Sequence, residues 1–202
     1  MISAFTAESV SESTQAAALV EVRKAHMSDV PALLELINGY AARGIMLPRT
    51  EFEISESIRD FSIALTDGTL AGCGALHFYS PTTAEIRSLA VAPGAKTRGV
   101  GRRLVETLVN EAGEYSLDAV FAFTYIPDFF RKMGFAEVER GALPLKAWKD
   151  CLRCPKFQSC DEIAMMRVLR PDHWAMATHK WGEAIALNEG VETVLLPIVR
   201  KQ

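Results

Sequence analysis

An apolar stretch, Leu89-Ala90-Val91-Ala92, runs through the basic turn Pro93-Gly94-Ala95-Lys96-Thr97-Arg98-Gly99-Val100-Gly101-Arg102-Arg103 straight into an amphipathic helix. Leu104, Val105, Leu108, Val109 and Ala112 recur at helical spacing, while Arg103, Glu106, Asn110 and Glu111 are left for solvent. A helix with one apolar stripe needs a sheet to lie on. Gly99 and Gly101 remove the side chains that would keep an anion off the backbone, and the first free N–H groups of the helix, near Val100, point at whatever sits there. Lys96, Arg98, Arg102 and Arg103 add positive charge to the same place. The turn is therefore a candidate phosphate site, with an ordinary glycine-containing strand-to-helix turn as the alternative. Spacing excludes two common versions: no Lys-Ser or Lys-Thr pair follows the second glycine, and Arg103-Leu104 occupies the place of the third glycine of a dinucleotide fingerprint.

At 202 residues and 49% hydrophobic, the chain has apolar material for one domain with a real core and a small appendage. A net charge of −3 and a pI near 5.9 give no reason to expect nucleic acid. No apolar run reaches membrane-spanning length. Residues 1–19 are rich in Ser, Ala, Thr and Glu and lack the basic start and apolar stretch of a signal peptide, so they read as a disordered tail. A cytoplasmic location follows, and there the four cysteines are expected to be reduced.

Val20 to Lys24 alternates as a first strand, and Ser28-Asp29-Val30-Pro31 opens a helix with Val30, Leu33, Leu34, Ile37 and Ala41 on one side, ended by Gly39 and Gly44. Thr50-Glu51-Phe52-Glu53 is a capping box starting a helix toward Asp60. Phe61–Leu65 and Leu70–Tyr79 read as a hairpin across Thr66-Asp67-Gly68-Thr69. Ala84–Val91 is the next strand, then the basic turn, its helix to about Tyr115, and a strand at Leu117–Thr124. A short helix over Pro127–Met133 stops at Gly134, and Phe135–Glu139 and Ile163–Leu169 complete the sheet. The fold class is α+β: a mixed central sheet flanked by helices over residues 20–170, with a C-terminal extension at 171–202.

The turn Lys96-Thr97-Arg98-Gly99-Val100-Gly101 resembles the pyrophosphate loop Arg/Gln-x-x-Gly-x-Gly/Ala of the GNAT superfamily of acetyl-coenzyme A dependent N-acetyltransferases, with lysine in place of the usual Arg or Gln. The succession of elements from Val20 to Leu169 matches that of the superfamily. Within it, Gly44-Ile45-Met46-Leu47-Pro48-Arg49-Thr50, Ala84-Glu85-Ile86-Arg87-Ser88-Leu89-Ala90-Val91 and Phe129-Phe130-Arg131-Lys132-Met133-Gly134-Phe135 resemble the acetyltransferase domain of N-acetylglutamate synthases. The resemblance does not extend to those enzymes' amino-acid-kinase-like domain, so a short, stand-alone form is expected. It implies acetyl-coenzyme A as co-substrate and acetylation of the α-amine of L-glutamate, the first step of arginine biosynthesis. Fold alone does not fix a substrate. Glutamine, another amino acid or a small amine remains open, and so does a non-catalytic, acetyl-coenzyme A binding or thiol-responsive regulatory module.

Acetylation of an amine needs a base, a polarised thioester carbonyl and a fate for the departing thiolate. The resemblance places the base at Glu85; alternatively Glu85 pairs with Arg87, two residues on and on the same strand face. It also places the thioester oxygen at backbone N–H groups of Leu89, Ala90 and Val91, freed by a bulge. Many superfamily members carry a tyrosine acid four residues before the Gly-Phe pair, where this chain has Phe130. Tyr125, Thr124 and Ser88 are the remaining candidate acids, and a thiolate with a pKa near that of cysteine can also leave unassisted. The resemblance gives Arg49 the substrate α-carboxylate; Arg87, Arg153 and Lys156 are further carboxylate candidates.

Cys151-Leu152-Arg153-Cys154, followed by Cys160, can begin a metal site, but four ligands are normally needed and no second Cys-x-x-Cys exists. Cys73, Asp161, His173 or His179 would have to complete one, so thiols lining a loop are the expected use, with no metal. Trp148 braces that loop or belongs to the core. In the extension, Trp174, Trp181, Ile185, Leu187 and the run Val191–Val199 are too apolar to stay solvated, so it should fold back or pack on a partner subunit, a homodimer being one such assembly. His173 and His179, six apart, read as surface residues.

Overall fold

A computed structural model of the chain describes residues 20–96, 98–143 and 151–175, without the side chains of Ala142 and Arg153. Expectations for the tail before Val20, for Trp148, for His179 and Trp181, and for the rest of the extension lie outside the described residues.

Seven strands form one sheet. β1 (Val20–Lys24), β2 (Phe61–Thr66) and β3 (Thr69–Phe78) are an antiparallel meander. The β2–β3 turn carries Asp67 and Gly68 at φ of 51° and 75°, the two left-handed residues that a tight two-residue hairpin requires. Between β1 and β2 lie α1 (Val30–Ala41) and α2 (Glu51–Glu56), the latter opened by the expected capping box: the Glu53 N–H donates to Thr50 Oγ1 and the Thr50 N–H to Glu53 Oε2. β4 (Thr83–Val91) leads to α3 (Val100–Glu114), which crosses back to β5 (Ala119–Thr124). β5 runs parallel to β4, a pairing that only a crossover can make. α4 (Pro127–Lys132), β6 (Ala136–Glu137) and β7 (Ile163–Val168) follow, giving the order β1-β2-β3-β4-β5-β7-β6.

Three expected boundaries moved. Gly39 stays helical inside α1 and only Gly44, at φ 67°, lies beyond its end. The helix survives the glycine because the next residue, Tyr40, is buried and donates its hydroxyl to the Val91 carbonyl at 2.6 Å. Past α2 the chain tightens into a single 3-10 turn at Ile58–Asp60, and β6 is two residues long before a turn at Arg140–Ala142.

α3 and α4 cover one face of the sheet and α1 and α2 the other. A Cβ on Gly72 of β3 would stand 2.8 Å from the Ala90 carbonyl oxygen and 2.9 Å from Val100 Cγ1, so the glycine is what lets α3 settle onto the strands. The first polypeptide turn of the extension packs Trp174 against the cluster of Phe121, Leu143 and Met166.

β4 departs from regularity twice. Cys73 pairs with Ala90 and Ala75 with Arg87, so Ser88 and Leu89 together oppose Gly74: a bulge of one extra residue, with Ser88 in the left-handed region at φ 52°. The extra residue inverts the strand's alternation. Ile86 and Leu89 face α3, whereas Ala90 joins the α1 side. The second departure is that β4 pairs with β5 only from Thr83 to Glu85, after which the two strands part.

Two glycines test this packing with opposite signs. Gly72→Ala should destabilise by about 1–3 kcal/mol through overpacking. Gly113→Ala, on α3 with nothing within 4 Å of the new methyl, should stabilise by about 0.5–1 kcal/mol. Denaturant unfolding of both variants measures the contrast.

Candidate active site

Where β4 and β5 part, a cavity of about 420 Å³ opens, lined by Glu85, Arg87, Ser88 and Leu89 from β4 and Phe123 and Thr124 from β5. Glu85 is the last paired residue of β4 before the gap and is only 9% exposed. A buried carboxylate needs a donor, and the Tyr79 hydroxyl donates to Glu85 Oε2 at 3.0 Å. The Tyr79 ring is itself held, tilted against Phe121 and edge-on to His77, whose Nδ1 lies 2.6 Å from Asp60. The sequence reading missed Tyr79. Its position at the end of an alternating strand carried no signal distinct from packing.

Two loops wall the cavity. On one side lie Gly44 to Arg49, fixed where the Asn38 side-chain amide donates to the Arg49 carbonyl and accepts from the Arg49 N–H, both at 2.9 Å. Arg49 thereby lines the cavity directly before the capped start of α2. On the other side lies the late segment, with Cys151, Cys154, Lys156, Cys160 and Glu162 in the lining. Lys156 Nζ donates to the Tyr125 hydroxyl at 3.3 Å and sits 4.9 Å over its ring. Burial pushes the Tyr125 phenol up, so it stays protonated at neutral pH. Burial likewise pushes the Glu162 carboxyl up, against the hydrogen bond that Cys160 donates to it.

Arg140 was also missed. Its guanidinium donates to the carbonyls of Cys160 and Glu162 and lies 5.8 Å over the Phe123 ring, tying the late segment to β5. An arginine just past a short strand looks solvated in sequence; its bonds to a returning loop are a tertiary fact. With Arg140, the charged lining is Arg49, Arg87, Arg140 and Lys156 against Glu85 and Glu162, a net cationic cavity.

Of the candidate acids, Ser88, Thr124 and Tyr125 all line the cavity. Thr124 Oγ1 accepts the Ile126 N–H at 3.0 Å, which leaves its proton directed elsewhere. Phe130 is 3% exposed and packed edge-to-face with Phe129 and Phe135, an aromatic without a proton to give.

The basic turn leads away from the bulge. Gly99, at φ 74°, caps α3 without a side chain, so no side-chain oxygen competes for the first helical N–H groups. Lys96, Arg98 and Arg102 are exposed around it and Val100 is buried beneath it. Lys96 Nζ lies 5.4 Å from the Tyr40 ring centre, and Arg102 reaches down the helix to Glu106 at 2.8 Å. A Cβ on Gly101 would meet the Phe129 and Val91 side chains at 3.5 Å, an ordinary van der Waals contact. An open, cationic helix start next to a strand bulge fits a pyrophosphate and the thioester arm that continues from it.

Among the described residues, no three His, Cys, Asp or Glu side chains converge so as to hold a metal ion, and none of the four cysteines is in a disulfide. Among them, too, no helix is long and apolar enough to cross a membrane.

Residues 32–135 match the acetyltransferase (GNAT) family. The chain is 44% identical over 148 residues to an uncharacterised N-acetyltransferase of Chlorobaculum tepidum, covering 73% of this chain and 96% of that protein. It is 36% identical over 121 residues to an amino-acid acetyltransferase of Mycobacterium tuberculosis, covering 58% of this chain and 69% of that one. The fold superposes with a TM-score of 0.69 and 30% identity on an N-acetylglutamate synthase from Neisseria gonorrhoeae complexed with coenzyme A and N-acetyl-glutamate. That match takes in 76% of this chain and 36% of the Neisseria chain, so the chain spans about a third of that protein. Sheet order, bulged and splayed β4, glycine-capped α3 and these matches agree: the chain belongs to the GNAT family of N-acetyltransferases, whose acetyl donor is acetyl-coenzyme A.

Proposed function

We propose that the chain acetylates the α-amine of an amino acid, L-glutamate, as an N-acetylglutamate synthase acting in the cytoplasm in arginine biosynthesis. One observation carries it: a buried carboxylate, Glu85, opens into a cavity whose remaining charged lining is four cations and one carboxyl held toward its neutral form by burial. A substrate with two carboxylates and one ammonium complements that wall. The named relatives, an amino-acid acetyltransferase and an N-acetylglutamate synthase, support the same class.

Acetyl-coenzyme A supplies an activated acyl carbon to this site. Glu85 takes the ammonium proton, directly or through a water, freeing the amine's lone pair. Arg49, with its backbone pinned by Asn38, presents a planar fork to the α-carboxylate, and Arg87 and Lys156 present charge to the distal end. Arg153 belongs with them by sequence. Backbone N–H groups at the Leu89–Val91 end of the bulge receive the developing oxyanion. Tyr125, protonated at neutral pH and braced by Lys156, or Ser88 at the bulge, returns a proton to the leaving thiolate.

The decisive assay is an amino-acid panel with acetyl-coenzyme A and thiol detection. Turnover should be highest with L-glutamate, and a preference for glutamine or a simple amine would overturn the substrate assignment. Glu85→Gln keeps shape but cannot accept a proton, so the rate should fall by roughly a hundredfold or more near neutral pH and recover in part at high pH, where free amine is abundant. Unchanged activity would leave Glu85 a structural partner of Tyr79. Arg49→Lys should raise KM for the amino acid by about tenfold, the KM for acetyl-coenzyme A staying put, because a point charge cannot reproduce a bidentate fork.

A further inference from the structure

A second cavity, of about 400 Å³, lies between α3 and α4. It starts at Arg102, three residues past the Gly99 cap, and follows one face of α3 along Glu106 and Asn110. Its other wall is Lys132 and Met133 at the end of α4, with Arg167 of β7. Three cations and a single carboxylate thus line a groove that the amino-acid cavity does not include. Arg167 is set in place: its guanidinium donates to the Met133 carbonyl at 2.9 Å, and a Cβ on Gly134 would stand 3.6 Å from its Nε, so the side chain lies along the turn that ends α4. A guanidinium has five N–H donors, and that bond uses one. Lys132 is exposed. Arg102 meets Glu106 at 2.8 Å, but a surface pair four residues apart contributes little and does not tie the arginine up.

The groove also stands at the right distance from the glycine turn. A helix rises ~1.5 Å per residue, so Arg102 and Glu106 lie about 4.5 and about 10 Å along α3 from Gly99. In coenzyme A, six bonds of ~1.5 Å join the ribose-side phosphorus of the pyrophosphate to the phosphorus of the ribose 3′-phosphate, a reach of about 6–8 Å. A pyrophosphate seated on Gly99–Gly101 can therefore deliver a phosphomonoester between those two residues, within the wall that carries Lys132 and Arg167. Such a group bears close to two negative charges at neutral pH, and a lysine beside a fixed guanidinium answers it with a point charge and a fork.

We infer that the groove between α3 and α4 seats the ribose 3′-phosphate of the acyl donor, with Lys132 and Arg167 as its ligands from outside the glycine turn. The inference rests on a pyrophosphate at Gly99–Gly101 and is independent of which amine is acetylated.

The test titrates the full chain with coenzyme A and with 3′-dephospho-coenzyme A by calorimetry at one ionic strength, since salt screens exposed charge. The unaltered chain should bind coenzyme A about tenfold or more tightly than the dephospho form. Lys132→Glu should remove most of that preference by weakening coenzyme A, while dephospho-coenzyme A stays within about twofold. Arg167→Gln should narrow the preference in the same way, and a fall in both ligands alike would take Arg167 out of the site. Lys96→Ala, at the glycine turn, should weaken both ligands equally, because both carry the pyrophosphate; a loss confined to coenzyme A would put the 3′-phosphate at the turn and overturn the inference. Equal affinities in the unaltered chain, or a Lys132→Glu that weakens both ligands alike, would overturn it too. If affinities were equal and inorganic phosphate alone bound the unaltered chain but not Lys132→Glu, the groove would be a free-anion site instead. Because these titrations need no turnover, a chain that distinguishes the two coenzymes but acetylates no L-glutamate would contradict the proposed function and leave the phosphate seat standing.

Discussion

One extra residue in β4 holds the site together. With Ser88 and Leu89 opposite Gly74, the strand's alternation inverts midway, so Glu85 and Arg87 serve the cavity while Leu89 returns to the α3 face. Without the bulge, either Glu85 or the seat of α3 would be on the wrong side. The same irregularity follows the point where β4 and β5 cease to pair, which opens the sheet without breaking its core. Gly72 supplies the complementary condition, since any side chain there would lift α3 and its basic turn away from the bulge.

The two walls of the cavity are built differently. The Arg49 side is rigid by local chemistry, through a two-way hydrogen bond to Asn38 and a capping box whose residues are adjacent in sequence. The late segment has no regular element to lean on and is tied down by Arg140, which satisfies two of its carbonyls and stacks over Phe123. The cationic lining is thereby divided between an arginine held by local hydrogen bonds and a segment held by a distant arginine.

Most of the architecture was legible because its signals are local. The capping box, the Asp-Gly hairpin turn and the α3 stripe each specify themselves within a few residues, and the Gly99-Val100-Gly101 turn pointed to a phosphate from backbone considerations alone. The bulge came from family resemblance, since nothing in Ile86-Arg87-Ser88-Leu89 declares an extra residue. Tyr40, Tyr79 and Arg140 escaped because their roles are hydrogen bonds to residues 51, 6 and 20–22 positions away, visible only once the sheet is assembled. Gly39 misled for a related reason: a helix end was read from propensity, and burial of its neighbour Tyr40 outweighed it.

A crystal structure of the full chain with coenzyme A and N-acetyl-L-glutamate tests the central claim most directly. The account predicts the pyrophosphate against the N–H groups at Gly99–Gly101, the coenzyme sulfur in the gap between β4 and β5 at the Ser88–Ala90 bulge, and the acetylated nitrogen facing Glu85. Coenzyme bound elsewhere, or an amino acid lying outside the cavity bounded by Arg49 and Arg140, would contradict it.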